Sequence, residues 1–417
     1  MKATIKLVLP ALAALLMLTT PANAQTFQLL HTFEGTDGRA SGALTLDGAG
    51  NLYGAAAEGG IKNCPAPNNA GCGTVFELQN SNWNFKTLYQ FQSRTDGWSP
   101  NSPLTLDASG NLYGTTLDGG IEGGGGTVFA LRRICGGLSC NQVVWSKTVL
   151  YRFTSCDGSG TNGGLVFDIS GNLYGTTIEY CEQHTGEAYE LSPAQNLNGT
   201  WNRTRQYVFN GPPDGRWPVG PIVSGQAGNL YGSTLGGGNS DLGTVYRLTP
   251  AGNTWIECVL YNFTGEADGR KPIGNLIFDR SGDLYGVTNG DSQPSGLFEL
   301  PPAGCNSGTV SPLFAFLPPG GASLASGLVM DAAGNLYGSA PLGGQYGLGS
   351  VYKLKWTGTE WSYFTEHDFT GGTDGAHPQG PLVLDAAGNL YGSAAAGGDP
   401  GCNSGIGCGT VWMISPN

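Results

Sequence analysis

The sequence predicts an all-β fold, a seven-bladed β-propeller of four-stranded blades. Three observations carry this. The first is composition: 71 Gly and 24 Pro among 417 residues, with 12% charged and 10% aromatic residues. Gly is more than twice its usual share of about 7%, and charge is about half of the usual 25%. The aromatic content is too high for a disordered chain. The glycines keep no three-residue period, which removes collagen, and a helical bundle would need few Gly and helical apolar spacing. The second observation is a phrase built on Leu-Tyr-Gly that recurs seven times, at Tyr53, Tyr113, Tyr174, Tyr231, Tyr285, Tyr337 and Tyr391. The third is that the two ends of the repeat array complement each other.

Repeat two shows the unit most fully. Pro103 to Asp107 reads as strand A, Gly110 to Thr116 as a turn and strand B, Gly126 to Leu131 as strand C, and Trp145 to Phe153 as strand D. Between A and B, Asp107-Ala-Ser-Gly-Asn111 is a hairpin turn. Its Gly takes left-handed backbone cheaply and its Asp accepts local N–H groups. In strand B, Leu and Tyr are adjacent and point to opposite faces, so both faces need burial, as in sheets stacked face to face. The Gly after each Tyr weakens a strand, and we expect close approach of neighbouring blades to require it. In five repeats a Trp stands eight residues before a Phe (Trp83/Phe91, Trp145/Phe153, Trp201/Phe209, Trp255/Phe263, Trp361/Phe369). The even spacing predicts that both share one face.

The array begins with Leu29 to Phe33, which matches a strand D, and ends with Gly409 to Ile414, which matches a strand C. The N-terminal strand should therefore complete the last blade, closing the ring and hiding the sheet edges. Strand order then puts the D–A and B–C loops on one face and the A–B and C–D loops on the other.

The phrases Asn-Leu-Tyr-Gly-Thr-Thr, Gly-Gly and Gly-Thr-Val-Phe-x-Leu resemble the Gloeo/Verruco (GloVer) tandem repeat family across nearly the whole chain after residue 24. The resemblance implies an exported bacterial repeat protein with a propeller fold and implies no activity. Many such proteins carry a C-terminal sorting anchor, whereas this sequence ends at Ser415-Pro416-Asn417, so release is expected.

Residues 1–24 read as a signal peptide. Lys2 and Lys6 precede an apolar run from Leu7 to Leu18, and Ala22-Asn23-Ala24 is a small-x-small cleavage pattern. Residues 25–417 then form one propeller domain, secreted or periplasmic, with no membrane span after signal removal and expected to be a monomer. The formal net charge of −12 argues against nucleic acid, whose phosphates need a basic surface. The ten Cys all follow the signal, and an even count in an exported chain suggests disulfides. We assign Cys64–Cys72, Cys135–Cys140, Cys156–Cys181, Cys258–Cys305 and Cys402–Cys408, the fourth bridging neighbouring blades.

Candidate site residues come from the D–A loops. Asp37, Asp96, Asp157, Asp214, Asp268 and Asp374 each precede a Gly there. They suit tight turns, and a carboxylate ring of this kind could also hold calcium; no other cofactor is indicated. The residues that depart from the repeat are Arg39, Trp98, Arg216, Trp217, Arg270, Lys271 and His377. Aromatic and basic residues on loops over a rigid scaffold suggest recognition. We expect a non-catalytic binding propeller that recognises an extracellular glycan or protein on the D–A/B–C face. The alternatives are a polysaccharide lyase or glycoside hydrolase, using loop Asp residues with His184 or His377, and a purely structural envelope-associated role.

Overall fold

The computed structural model describes residues 26–415 apart from 62–70, 93–94, 122–123, 137–141, 155–157, 162, 180–184, 194–200, 253, 291–294 and 317–326. The proposed signal peptide therefore lies outside the described residues. Seven antiparallel sheets form a ring. Blade 1 is A Arg39–Leu46, B Leu52–Glu58, C Thr74–Gln79 and D Asn84–Gln90, hydrogen-bonded in that order. Blade 2 splits strand A into Trp98–Pro100 and Thr105–Leu106. Blades 3 to 6 repeat the order, with Glu187–Ser192 as strand C of blade 3 and Thr254–Asn262 as strand D of blade 4. Blade 7 takes its A, B and C strands from Ala376–Leu384, Leu390–Ala396 and Thr410–Ser415, and its D strand from Thr26–Thr32 at the other end of the chain. That closing pair runs from Thr26 opposite Ser415 to Thr32 opposite Thr410. No helix among the described residues is long and apolar enough to cross a membrane.

The core lies between blades. At the interface of blades 1 and 2, Tyr53, Val75 and Phe91 pack on Leu112, Phe129 and Leu131. Tyr53 and Leu112 hold adjacent positions of the Leu-Tyr pair, so strand B does bury both of its faces. Each such apolar side chain contributes about 1.5–3 kcal/mol on burial. Loop placement follows the strand order. Gly60 of a B–C loop donates to Gly35 of the adjoining D–A loop, and Asn80 of a C–D turn donates to the Asn51 side chain of an A–B turn.

Two expectations need correction. In strand D of blade 1, Phe76 faces Thr87 and Val75 faces Tyr89, so Leu88 is one residue too many. A single extra residue turns everything beyond it to the other side. Trp83 accordingly meets Tyr391 of the preceding blade, whereas Phe91 meets Phe129 of the following one. Trp145 with Tyr53, and Phe153 with Tyr189, repeat the arrangement. Trp and Phe thus face opposite neighbours, and each strand D stitches three blades together. The Gly after Tyr is also not set by a neighbouring blade. Gly54 lies beneath the Phe76 ring of its own blade, and a Cβ there would stand 2.3 Å from that ring. Gly392 lies in the same way beneath Trp412.

Strand A carries a bulge beside the axis. Register breaks between Val219 and Val223, Ile273 and Ile277, and Gln379 and Val383. Gly220, Gly274 and Gly380 sit there with φ near +72°, a region L-residues resist. A Cβ on Gly220 would come 2.0 Å from the Gly274 carbonyl oxygen. The glycines therefore set how narrowly the blades converge.

Candidate functional site

On the D–A/B–C side of these bulges the axis opens into a funnel of about 360 Å³. The side chains of Asn101, Asn275, Asn289 and Gln379 supply its polar lining, and Val219, Leu235 and Ile273 much of its apolar wall. Asn275 donates to the Leu328 carbonyl at 3.2 Å, while its own side-chain oxygen is buried and unpartnered. Among the described residues, no charged side chain belongs to this lining.

The D–A aspartates are held in a repeated latch. Asp214 accepts the Tyr207 hydroxyl at 2.9 Å and the Asn210 N–H at 2.8 Å. Asp268 accepts Tyr261 and the Thr264 N–H. Asp96 accepts Tyr89, the Gln92 N–H and the Lys147 ammonium. Asp374 and Asp37 bond His367 and His31, each also taking a turn N–H. Burial, and then the adjacent aspartate, pushes the Tyr89 and Tyr207 hydroxyls above their usual range. Blade 5 gives the converse. Phe314 stands where the other blades place Tyr or His, and the D–A segment after it is Pro319-Gly320-Gly321 with no Asp. Where the ring lacks a polar tip, the carboxylate is missing too. Asp157 lies outside the described residues, among which no group of three or more His, Cys, Asp or Glu side chains is placed to hold a metal.

Three residues beyond the Asp, the loop locks onto the blade before it. Ser99, Trp217, Lys271 and His377 all adopt φ between 50° and 58°. Their N–H groups donate to the carbonyls of Cys72, Thr185, Leu242 and Leu348. Left-handed backbone at non-Gly residues costs roughly 1–3 kcal/mol and persists only where surroundings enforce it. The side chains expected to bind are likewise braced. Trp98 packs half-buried at the blade 1/2 interface and hydrogen-bonds Asp118, whose carboxyl burial raises. Arg216 stacks 4.0 Å over Trp217 and pairs with Asp241. Arg270 donates twice to the Gly290 carbonyl, and the His377 ring meets the Pro341 carbonyl at 2.8 Å. Arg39 pairs with Glu58. Arg216 and Trp217 are thus brought together beside the funnel wall at Val219, while Trp98 belongs to blade 2, with blade 3 between. His184 lies outside the described residues.

Disulfides join Cys258 to Cys305, across blades 4 and 5, and Cys402 to Cys408 within blade 7. Cys72 is also disulfide-bonded; Cys64, Cys140, Cys156 and Cys181, and the Cys135 side chain, lie outside the described residues.

Sequence reasoning missed two features. The funnel amides come from different places in the repeat, Asn101, Asn275 and Gln379 from strand A segments at differing register and Asn289 from just after a strand B. Glu257, two residues after Trp255 in strand D, is pushed up to about 8 by burial and then by Asp214. Its departure from the repeat was visible, but its depth was not.

The Gloeobacter/Verrucomicrobia repeat model matches residues 16–197 and 137–329. The chain belongs to that family. No curated protein matches it. Among solved structures, it is similar to a Thermus thermophilus protein assigned as an oxidoreductase (glucose dehydrogenase), with 15% identity, TM-score 0.46, 94% of this chain and 100% of that one covered. A protein assigned as a gluconolactonase gives 12%, 0.43, 95% and 93%.

Proposed function

We propose that this member of the Gloeobacter/Verrucomicrobia repeat family is an exported binding propeller that takes a neutral, hydroxyl-rich ligand, a glycan chain or its end, in the axial funnel of the D–A/B–C face. The funnel lining carries the reading. Four side-chain amides offer both donors and acceptors without charge, between short apolar walls, which suits sugar hydroxyls and the carbon faces between them. The Trp217 ring, with Arg216 stacked on it, supplies an aromatic platform two residues outward from Val219. Binding rather than hydrolysis or elimination is favoured because the described D–A aspartates are engaged in latches and none of the described acidic residues lines the funnel. The signal pattern at residues 1–24 and the disulfides support export.

A glycan array probed with the protein tests this. Binding to at least one neutral glycan is expected, weakened about tenfold or more by Gln379→Ala and less by Trp217→Ala, since one hydrogen bond or ring contact carries about 1–1.5 kcal/mol. Failure to bind any glycan, or binding that Gln379→Ala leaves unchanged, sinks the sugar reading.

A further inference from the structure

On the opposite face, six of the seven A–B turns are centred on an acidic residue: Asp47, Asp107, Asp168, Asp279, Asp331 and Asp385. In blade 2 the Asp107 carboxylate accepts the N–H groups of Ser109 and Asn111, the Asn111 side-chain amide at 2.8 Å and the Tyr113 hydroxyl at 3.1 Å. Blades 6 and 7 repeat this with Asp331 and Asp385. Blades 1 and 3 add a second carboxylate to the Tyr hydroxyl, from Glu77 and Glu190 directly across in strand C, and in blade 5 the hydroxyl turns to Glu299 at that same position.

Blade 4 has neither acid. Gly225 stands at the Asp position, with the backbone bond of the turn retained (Gly225 N–H to the Asn229 carbonyl, 2.8 Å). Arg247 stands across from Tyr231 where the Glu would be. The donors that elsewhere converge on a carboxylate are left over. Among the described residues, the Tyr231 hydroxyl and the Asn229 side chain make no hydrogen bond, and the Asn229 oxygen is buried. The Arg247 Nε is buried and unpartnered, and its Nη2 reaches only the Cys258 sulfur at 3.6 Å.

Space opens at this place. A groove of about 670 Å³ lies between the A–B turns of blades 4 and 5, walled by Ser224, Gln226, Tyr231, Phe278, Arg280 and Pro302. An adjoining hollow reaches Arg247 and shares Tyr231, Phe278 and Pro302 with it. Asp279 stands on the far wall, its carboxylate turned to the N–H groups of Ser281 and Asp283 at 2.8 Å. A Cβ at position 225 would lie 2.5 Å from the Tyr231 ring, so the missing carboxylate cannot come from that position while the ring stays in place.

We propose that this groove binds a ligand carboxylate of the uronic-acid class. The carboxylate takes the charge-assisted hydrogen bonds of Arg247, Tyr231 and Asn229 that the chain's own acids fill in other blades. The sugar body lies along Tyr231, Phe278 and Pro302, and its hydroxyls meet Ser224, Gln226 and Arg280. This site is separate from the axial funnel, and either can hold ligand without the other.

Calorimetric titration of the whole protein with trigalacturonate, and with its methyl ester as the neutral counterpart, tests the proposal. The acid should bind at least about tenfold tighter than the ester, the worth of one charge-assisted hydrogen bond. Arg247→Gln should abolish that difference, and Tyr231→Phe should weaken acid binding several-fold. Tyr231→Phe removes a single hydroxyl and keeps the test decisive if Arg247→Gln does not fold. Equal affinity for acid and ester, no binding of the acid, or acid binding indifferent to Tyr231→Phe would overturn the proposal. Benzoate binding as tightly as trigalacturonate would overturn its sugar part.

Discussion

The interfaces between blades 1 and 2 and between blades 3 and 4 place different chemistry on the same seat. Two residues after the strand D Trp, blade 2 has Lys147 and blade 4 has Glu257. Lys147 is 3% exposed, reaches Asp96 at 2.6 Å and lies over the Phe91 ring at 4.6 Å. Glu257 faces Asp214, and among the described residues no base offsets the pair and its Oε1 is buried without a partner. Blades 1, 6 and 7 put Phe85, Tyr363 and Phe27 on this seat, each stacked on a His or Phe of the preceding blade. Ring, base and acid all fit this seat: in blades 1 and 7 the ring stacks on the His of a His–Asp latch, in blade 6 on Phe314 where blade 5 has no latch, and in blade 2 the base adds an ammonium to the Tyr89–Asp96 latch. The repeat fixes where the side chain goes and leaves its charge to be decided blade by blade.

The largest effect should come from breaking the matched interface. Lys147→Ala takes the opposite charge from a largely buried Asp96 carboxylate, which keeps the Tyr89 hydroxyl and the Gln92 N–H, and should cost about 3 kcal/mol, since removing one member of a buried pair is strongly destabilising. Denaturant unfolding measures it, and a loss below about 1 kcal/mol would mean that Lys147 contributes packing alone.

Relieving the mismatched interface should act in the other direction. Glu257 titrates near 8 in the folded chain and near 4.5 when unfolded. Between those values the folded state holds a proton that the unfolded state has released, so stability falls as pH rises through that window. Glu257→Gln removes this slope. The variant should match the parent near pH 4.5 and exceed it by about 2 kcal/mol at pH 8, after discounting for partial exposure. Parallel pH–stability curves for the two proteins would show that Glu257 is not the source.

The smallest effect tests the latch itself. Tyr207→Phe recreates in blade 3 the ring that blade 5 has in Phe314, but leaves Asp214 in place, and should lower stability by about 1 kcal/mol. The double change Tyr207→Phe with Asp214→Gly imitates blade 5 more fully and should recover part of the loss in a thermal melt.

Much of this was legible in the residues. The Leu-Tyr pair gave away burial on both faces because a strand alternates sides at every residue. The Asp-x-x-x-Asn phrase announced its turn because the Asp side chain is the turn's hydrogen-bond hub. Leu88 shows what was hidden: a bulge residue looks like any other apolar strand residue, yet it reverses the partners of Trp83 and Phe91. The D–A latch was readable in retrospect, since Tyr or His stands six or seven residues before each described Asp and Phe314 has none. The funnel could not be read, because Asn101, Asn275 and Gln379 acquire a common neighbourhood only when the blades converge.

Leu29 finds its partner at Trp412, so the first strand to be synthesised cannot settle until almost the whole chain has followed it. Loop closure over such a span costs little more at equilibrium than closure over a shorter one, but the wait is long. During that time a bare β-edge at each end of the growing arc is free to join a neighbouring molecule. A circular permutant that begins at Arg39 and carries Thr26–Thr32 after Ser415 would make the clasp a local hairpin, trading a late ring closure for an early one.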